Sequence, residues 1–82
     1  MRIVRRYSNR KLYDTEQSTY LNLSDIAKLT RDGIQIQVVE YETGMDITST
    51  ILCEVIFEEI RRGTPASVAG LRRIIVSGLP IE

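Results

Sequence analysis

Short alternating runs at the start of the chain predict β-strands. Residues 2–7 alternate between two sets of side chains, and a turn-prone Ser-Asn pair follows them. Two further β-type runs, at 11–14 and 19–21, are separated by a polar stretch. The pattern predicts a β-hairpin or meander over residues 2–22.

Helical periodicity replaces this alternation after residue 22. Asn22 can cap a helix, and Asp25, three residues later, can complete a capping box. The apolar residues of the segment share one helical face, and Gly33 supplies the left-handed residue that ends the helix. Alternation returns over residues 34–41, which predicts a further strand.

The second predicted helix is apolar on more than one side. It is expected to run over residues 48–62 and to stop at Gly63, with either Asp46 or Thr48 as its cap. At 100° per residue its apolar side chains span roughly 240° of the helical wheel. A surface helix needs a narrower stripe, so either the third element or another subunit must cover the second side. The residues assigned to the core and to a two-fold interface together are Ile51, Val55, Ile56, Ile60, Leu71 and Ile75.

The last segment predicts a third helix. Thr64 and Pro65 form a cap and first-turn pair, and apolar residues follow at helical spacing. The β-branched run at 74–76 also fits a strand, which is the alternative for this segment. Residues 78–82 are expected to form a frayed tail.

These elements predict one small α+β domain over residues 1–82. It divides into the basic hairpin or meander at 2–22, a helix–strand–helix core at 23–63, and a C-terminal helix and tail at 64–82. A chain of this size buries only about two thirds of its unfolded surface, which favours help from a partner chain.

The composition of the chain argues against several classes of protein. No stretch approaches the ~20 apolar residues of a membrane span, and the N-terminus lacks the apolar core of a secretion signal. With one cysteine and no histidine, neither an internal disulfide nor a zinc site of the usual ligands is expected, and a reducing cytoplasm fits best. Cys53 is expected to be buried as a small hydrophobic side chain.

The chain also lacks the residues of common catalytic sites. It has no histidine base, its cysteine has no evident activating partner, and it contains no glycine-rich phosphate loop or nucleophile elbow. We therefore expect a protein that is not an enzyme and that uses neither a cofactor nor a metal.

Charge is segregated along the chain, although its formal net value is zero. The first thirteen residues carry five cations and no acid, interleaved with two tyrosines, whereas residues 14–82 hold six cations and all eleven acids. A block of arginine with aromatics suits a phosphate backbone, because neutralised phosphates release counterions and arginine bridges phosphate oxygens. The alternative is a solvated β-edge that its cations protect against aggregation.

Two runs of the sequence resemble a known family. They are RRYSNRKLYDTEQSTYLNLSDIAKLTRDG and VVEYETGMDITSTIL, and their most specific block is RYSNRKLYD at residues 6–14. Over residues 3–60 the chain resembles the N-terminal DNA-binding domain of the bacterial polyhydroxyalkanoate (polyhydroxybutyrate) accumulation regulators. The resemblance implies a transcription regulator, usually a repressor, of genes for granule-coating proteins and polymer synthesis. Such a regulator is released from DNA when polymer accumulates.

Charge and resemblance together predict a nucleic-acid surface on the N-terminal hairpin. The residues assigned to it are Arg5, Arg6, Tyr7, Asn9, Arg10, Lys11 and Tyr13. The cations are expected to contact phosphates, and the tyrosines either to stack at the nucleic acid or to pack on the core. Asn9 either reads adenine or simply allows the turn. Asp14 is expected to fix the turn or to pair with Arg10.

Two functions from different classes follow. In the first, a cytoplasmic homodimer or higher oligomer presents copies of the basic hairpin to duplex DNA. In the second, the domain is a protein-interaction or assembly module whose hairpin binds an acidic partner protein; a polymer granule is a further candidate partner. A salt series with duplex DNA distinguishes the two, because counterion release requires affinity to fall steeply with salt.

Overall fold

The chain folds into a mixed β-sheet with helices on one face. The computed structural model describes residues 1–78, which form, in chain order, β1 (Arg2–Arg6), β2 (Leu12–Asp14), β3 (Thr19–Leu21), α1 (Leu23–Arg31), β4 (Ile36–Glu40), α2 (Thr48–Arg61) and α3 (Val68–Ser77). The strand order across the sheet is β3-β2-β1-β4, with β1 antiparallel to β2 and parallel to β4. The predicted α+β class is therefore confirmed.

The pairing register gives the sheet two different faces. Val4 lies opposite Asp14 on β2 and opposite Val38 on β4, so these side chains point to the same side. Helices α1 and α2 pack on that side, where the buried core consists of Val4, Leu12, Ile26, Ala27, Val38, Ile51 and Val55. No helix of residues 1–78 covers the opposite side. We call it the open sheet face, and it consists of Ile3, Arg5, Tyr7, Tyr13, Tyr20, Gln37, Val39 and Tyr41.

The ends of α1 follow local signals in the sequence. Asn22 accepts a hydrogen bond from the Asp25 N–H at 2.8 Å, and the Asp25 carboxylate accepts one from the Asn22 N–H at 2.9 Å. The predicted capping box is therefore confirmed. At the other end Gly33 has φ +84°, and the next N–H, that of Ile34, closes the helix. Because Ile34 is used there, β4 is shorter than the predicted strand.

The start of α2 differs from the prediction. Ile47 occupies the capping position without a side-chain cap, so neither Asp46 nor Thr48 is the N-cap. The Asp46 carboxylate instead accepts bonds from the N–H of Thr48 at 2.9 Å and from its hydroxyl at 2.6 Å. The Thr48 hydroxyl oxygen also accepts the Val38 N–H at 2.8 Å. These bonds attach the helix start to β4, a contact between elements that a local pattern does not reveal.

Helix α3 begins later than predicted, because Thr64 belongs to the end of α2. The Thr64 N–H bonds back to the Glu59 carbonyl at 3.0 Å, after Gly63 at φ +105°. The N-cap of α3 is Ser67, whose hydroxyl accepts the Gly70 N–H at 3.0 Å. The prediction of a Thr-Pro cap is therefore wrong.

Helix α3 buries none of its side chains. Residues 74–76 are helical, so the strand alternative for them is wrong. Of the tail expected at 78–82, only Gly78 lies within the described residues.

The wide apolar surface of α2 is covered on one side only. Ile51 and Val55 belong to the core, whereas the other four residues of the predicted cluster are exposed: Ile56, Ile60, Leu71 and Ile75. Phe57 is also 67% exposed. Cys53 is exposed as well, so the prediction of a buried thiol is wrong. It lies two residues after Ile51, or about 200° around the helix, and so points away from the sheet.

Within residues 1–78, no helix has the length and apolar character needed to cross a membrane. In the same part of the chain, no three histidine, cysteine, aspartate or glutamate side chains meet in an arrangement that could hold a metal ion.

Candidate nucleic-acid interface

The turn between β1 and β2 is fixed by its own hydrogen bonds. The Arg10 N–H bonds to the Tyr7 carbonyl at 2.8 Å, and the Tyr7 N–H bonds to the Lys11 carbonyl at 3.0 Å. Asn9 accepts the Lys11 N–H through Oδ1 at 3.0 Å, and Arg10 has a left-handed φ of +68°. The Asn9 oxygen that would accept a hydrogen bond from adenine therefore already accepts one from the Lys11 N–H within the turn.

Arg6 lies on the helix side of the sheet. It shares the face of Val4, because it comes two residues later along β1. Its guanidinium pairs with Glu40 at 3.0 Å and with Glu54 of α2 at 3.8 Å, and its side chain is 22% exposed. Two carboxylates therefore already neutralise Arg6, which leaves it poorly placed to bind a phosphate.

The other three predicted cations differ from Arg6. Arg5 lies on the open sheet face, Arg10 lies in the turn, and Lys11 directly precedes β2. Within residues 1–78 none of the three forms an ion pair, whereas five other cations do: Arg2, Arg6, Arg31, Arg61 and Arg62. The cations of the N-terminal block that lack carboxylate partners are thus found at the hairpin end of the sheet.

A groove of about 400 Å³ lies on the helix side of the hairpin. Arg6, Arg10 and Lys11 line it, together with the first residues of α1 and Glu54 of α2. Three predicted cations therefore meet around one groove. Glu54 offsets part of their charge there, because it pairs with Arg6.

All four tyrosines of the chain lie in one row across the open sheet face. The ring centroids of Tyr41 and Tyr7 are 4.7 Å apart, those of Tyr7 and Tyr13 are 6.3 Å apart, and those of Tyr13 and Tyr20 are 5.3 Å apart. The end residues are the most exposed, at 56% for Tyr41 and 59% for Tyr20. We call these four rings the tyrosine row.

A cation lies over each end of the tyrosine row. The Arg5 guanidinium is 5.7 Å from the ring centroid of Tyr41, and Lys11 Nζ is 5.4 Å from that of Tyr20. Contacts of this kind attract a cation to the face of an aromatic ring. The open sheet face thus combines a row of neighbouring aromatic rings with positive charge at both ends.

The sequence pattern alone assigns only Tyr7 and Tyr13 to the site. Tyr20 could be added from the predicted meander, since it lies opposite Tyr13 in that pairing. Tyr41 could not, because its place beside Tyr7 depends on the parallel pairing of β4 with β1, two segments far apart in the sequence.

Asp14 is buried and fixes the turn between β2 and β3, as expected. Its Oδ1 accepts the N–H groups of Glu16 and Gln17 at 2.9 and 3.2 Å. Its cationic partner is Arg2, at 3.6 Å, and the predicted pairing with Arg10 is not observed. Arg10 lies at the opposite end of β2, in the hairpin turn.

At the C-terminal end of α2 the cations are neutralised by acids. Arg61 and Arg62 donate to the Glu58 carboxylate at 2.7 and 2.9 Å. These two hydrogen bonds lower the pKa of Glu58 from 4.5 to about 2, and the bond from Arg61 contributes more than the bond from Arg62. Arg31 of α1 pairs with Glu59 in the same region. These arginines already have anionic partners, unlike Arg5 and Arg10 of the hairpin within residues 1–78.

The family model of the PHB/PHA accumulation regulator DNA-binding domain matches residues 3–63 of the chain. The chain belongs to this family. The match includes the sheet, α1, α2 and the whole tyrosine row, and it ends before α3. The resemblance seen in the sequence is thereby confirmed.

Two curated relatives match most of the chain. A protein of Thiocystis violacea named "Uncharacterized protein in phbA 5'region" is 39% identical over 75 residues, which are 92% of this chain and 54% of the relative. An "Uncharacterized protein" of Allochromatium vinosum is 37% identical over 75 residues, which are 92% of this chain and 49% of the relative. The chain thus spans about half the length of the curated relatives it matches. No solved structure matches it.

Proposed function

We propose that this domain binds duplex DNA as part of a bacterial transcription regulator of polyhydroxyalkanoate metabolism, acting in the cytoplasm as a repressor. Membership of a family of DNA-binding domains from regulators of polymer accumulation supports the proposal. The repressor role is the usual one among the regulators that the sequence resembles.

The observation that carries the proposal is the group of cations at the hairpin end of the sheet. Within residues 1–78, Arg5, Arg10 and Lys11 have no carboxylate partner, while Arg6 beside them has two. An arginine without an anionic partner can bind a phosphate without first breaking an ion pair. Each phosphate contact also releases condensed counterions, which favours association.

The turn between β1 and β2 is narrow enough for a groove of duplex DNA. A two-stranded ribbon fits the major groove, which is about 12 Å wide, and a four-stranded sheet does not. In this arrangement Arg10 and Lys11 approach the duplex first, and Arg5 contacts the backbone beside the groove. Phosphate contacts of this kind fix orientation and supply most of the affinity.

We also propose that two copies of the chain pair through the exposed side of α2 and α3. Ile56, Ile60 and Leu71 line one groove between these helices, and Phe57 is exposed on α2. Glu59 also lines this groove, but Arg31 of α1 already pairs with it, so burial of the apolar side chains is what favours pairing here. A two-fold dimer, the commonest oligomer, would double the hairpin cations available to one duplex.

The test is a DNA titration of the purified protein across a salt series. A promoter duplex and a scrambled duplex of equal length are compared. We expect log affinity to fall linearly with log salt, with a slope of about −0.9 for each phosphate neutralised. A slope near zero on both duplexes would contradict DNA binding, and tight binding to an acidic protein in the same assay would favour the interaction module instead.

A further inference from the structure

The open sheet face carries a row of tyrosines that the proposed duplex contact of the hairpin cations does not use. The tyrosine row crosses all four strands, and no helix within residues 1–78 covers it. Cross-strand aromatic pairs stabilise a sheet, but that role requires neither end tyrosines that are more than half exposed nor cations above their rings. The arrangement therefore indicates a ligand for this face.

The face is too wide for a groove of duplex DNA. Neighbouring strands lie about 4.8 Å apart, so the outer strands of a four-stranded sheet are separated by about 14 Å before side chains are added. The major groove is about 12 Å wide. The tyrosine row therefore cannot lie along the base pairs of an intact duplex.

The spacing of the rings suits bases that are not stacked on each other. Adjacent centroids in the row are 4.7, 6.3 and 5.3 Å apart. Neighbouring rings are tilted or edge-to-face, at interplanar angles of 40°, 69° and 71°, so bases can stack only on the accessible end rings, Tyr20 and Tyr41. Successive bases on one strand of a duplex are about 3.4 Å apart, so bases on these two rings, which have two other rings between them, must have separated. Proteins bind single strands by stacking such bases on aromatic rings while cations contact the phosphates.

We propose that the tyrosine row, with Arg5 and Lys11 at its two ends, binds unpaired nucleotides of single-stranded DNA. The inference rests on the proposed function, since it assigns the open sheet face to the same class of ligand as the hairpin. Tyr20 and Tyr41 offer accessible rings for bases. Arg5 and Lys11, which lie over those rings in the free protein, contact the phosphates on either side.

Intrinsic fluorescence measures binding at this face directly. The chain has no tryptophan, so its emission comes only from the four tyrosines of the row. Titration of the full chain with oligothymidylate of about 12 nucleotides should quench this emission in a saturable way. The same titration of N-acetyltyrosinamide corrects for absorption by the oligonucleotide.

Paired variants separate stacking from other effects. Tyr20→Ala combined with Tyr41→Ala should weaken oligothymidylate binding by about a hundredfold, on the order of tenfold for each ring. Tyr20→Phe combined with Tyr41→Phe keeps both rings and should bind within about threefold of wild type. Arg5→Gln combined with Lys11→Gln leaves the rings intact and should weaken binding by about tenfold or more, which keeps the test valid if the alanine variant fails to fold.

The outcomes distinguish this inference from the proposed function. A wild-type protein that binds duplex but not oligothymidylate would overturn the inference alone. Binding to neither form would overturn both. Equal affinities in the alanine and phenylalanine variants would also contradict the inference, as would a preference of more than about tenfold for oligouridylate, which would make RNA the ligand.

Discussion

Arg5 and Arg6 are neighbours in the sequence, yet the sheet gives them opposite surroundings. Arg5 lies on the open sheet face, where its guanidinium is 5.7 Å from the ring centroid of Tyr41. Arg6 lies on the helix side, where Glu40 and Glu54 accept its charge. Alternation along β1 therefore separates a cation that can bind phosphate from one that stabilises the fold.

Replacing Arg6 should affect stability more than DNA binding. Arg6→Ala leaves two partly buried carboxylates close together without their cation. We expect the free energy of unfolding to fall by about 1–2 kcal/mol, between the values for exposed and buried pairs. Urea denaturation measures this loss.

Arg10→Ala is the matched control, since it removes the same charge from the hairpin turn. Its stability should stay within about 0.5 kcal/mol of wild type, while its affinity for duplex DNA falls. If Arg6→Ala keeps full stability and loses as much DNA affinity as Arg10→Ala, the assignment of Arg6 to the fold is wrong.

Residue-level prediction succeeds where the signal is local. Alternation identifies the cations and tyrosines of the first strand, and the sequence indicates that Asp14 fixes a turn. It does not give the partner of Asp14, which is Arg2 on a neighbouring strand. Alternation also places Arg5 and Arg6 on opposite faces, but it does not reveal that Arg6 is the neutralised one, because Glu40 and Glu54 come much later in the sequence.

At the scale of elements, helix ends set by local signals are predicted, whereas ends set by contacts with another element are missed. The capping box at Asn22 and the left-handed Gly33 lie within a few residues of the helix they bound, and both are predicted. The start of α2 depends on bonds between Thr48 and β4, and the start of α3 depends on how α2 ends. These two starts are missed, because each is decided by another element.

The C-terminal turn of α2 should lose stability in acid because of Glu58. Its pKa is lowered from 4.5 to about 2 in the folded chain by Arg61 and Arg62. A carboxyl whose pKa is lowered on folding stabilises the fold above its unfolded pKa, and this stabilisation is lost as pH falls through its folded pKa. Between about pH 5 and pH 2, wild type should therefore lose more stability than Glu58→Gln.

Chemical denaturation at several pH values measures the difference between the two proteins, with Glu42→Gln as a control for removing an exposed carboxyl elsewhere. Parallel pH curves for wild type and Glu58→Gln would show that these arginines do not stabilise the ionised Glu58 in solution.

At the scale of the whole molecule, residues 1–78 leave two surfaces exposed on opposite parts of the fold. The open sheet face is aromatic and basic, and the exposed side of α2 and α3 is apolar. An apolar surface of this kind is seldom left in water. The division suits a molecule that binds nucleic acid on one surface and a second copy of itself on the other.

Two aspartate substitutions on α2 test the dimer. Phe57→Asp changes an exposed residue and should give a folded monomer, whereas Ile51→Asp changes a core residue and should unfold the chain. Light scattering and circular dichroism at about 100 µM, a limit of about 5–6 kcal/mol in affinity terms, record both outcomes. A wild-type protein that is monomeric at this concentration would rule out the proposed pairing.

We propose that the cations without carboxylate partners at the hairpin end of the sheet bind the phosphates of duplex DNA. Two variants with equal loss of charge test it most directly: one combines Arg5→Gln, Arg10→Gln and Lys11→Gln, and the other combines Lys28→Gln, Arg72→Gln and Arg73→Gln. Duplex affinity is measured for both across a salt series. The hairpin variant should reduce the magnitude of the log–log slope by about 2–3 per domain, close to 0.9 for each lost contact, while the control keeps the wild-type slope. Equal slopes for the two variants would contradict phosphate binding by the hairpin cations.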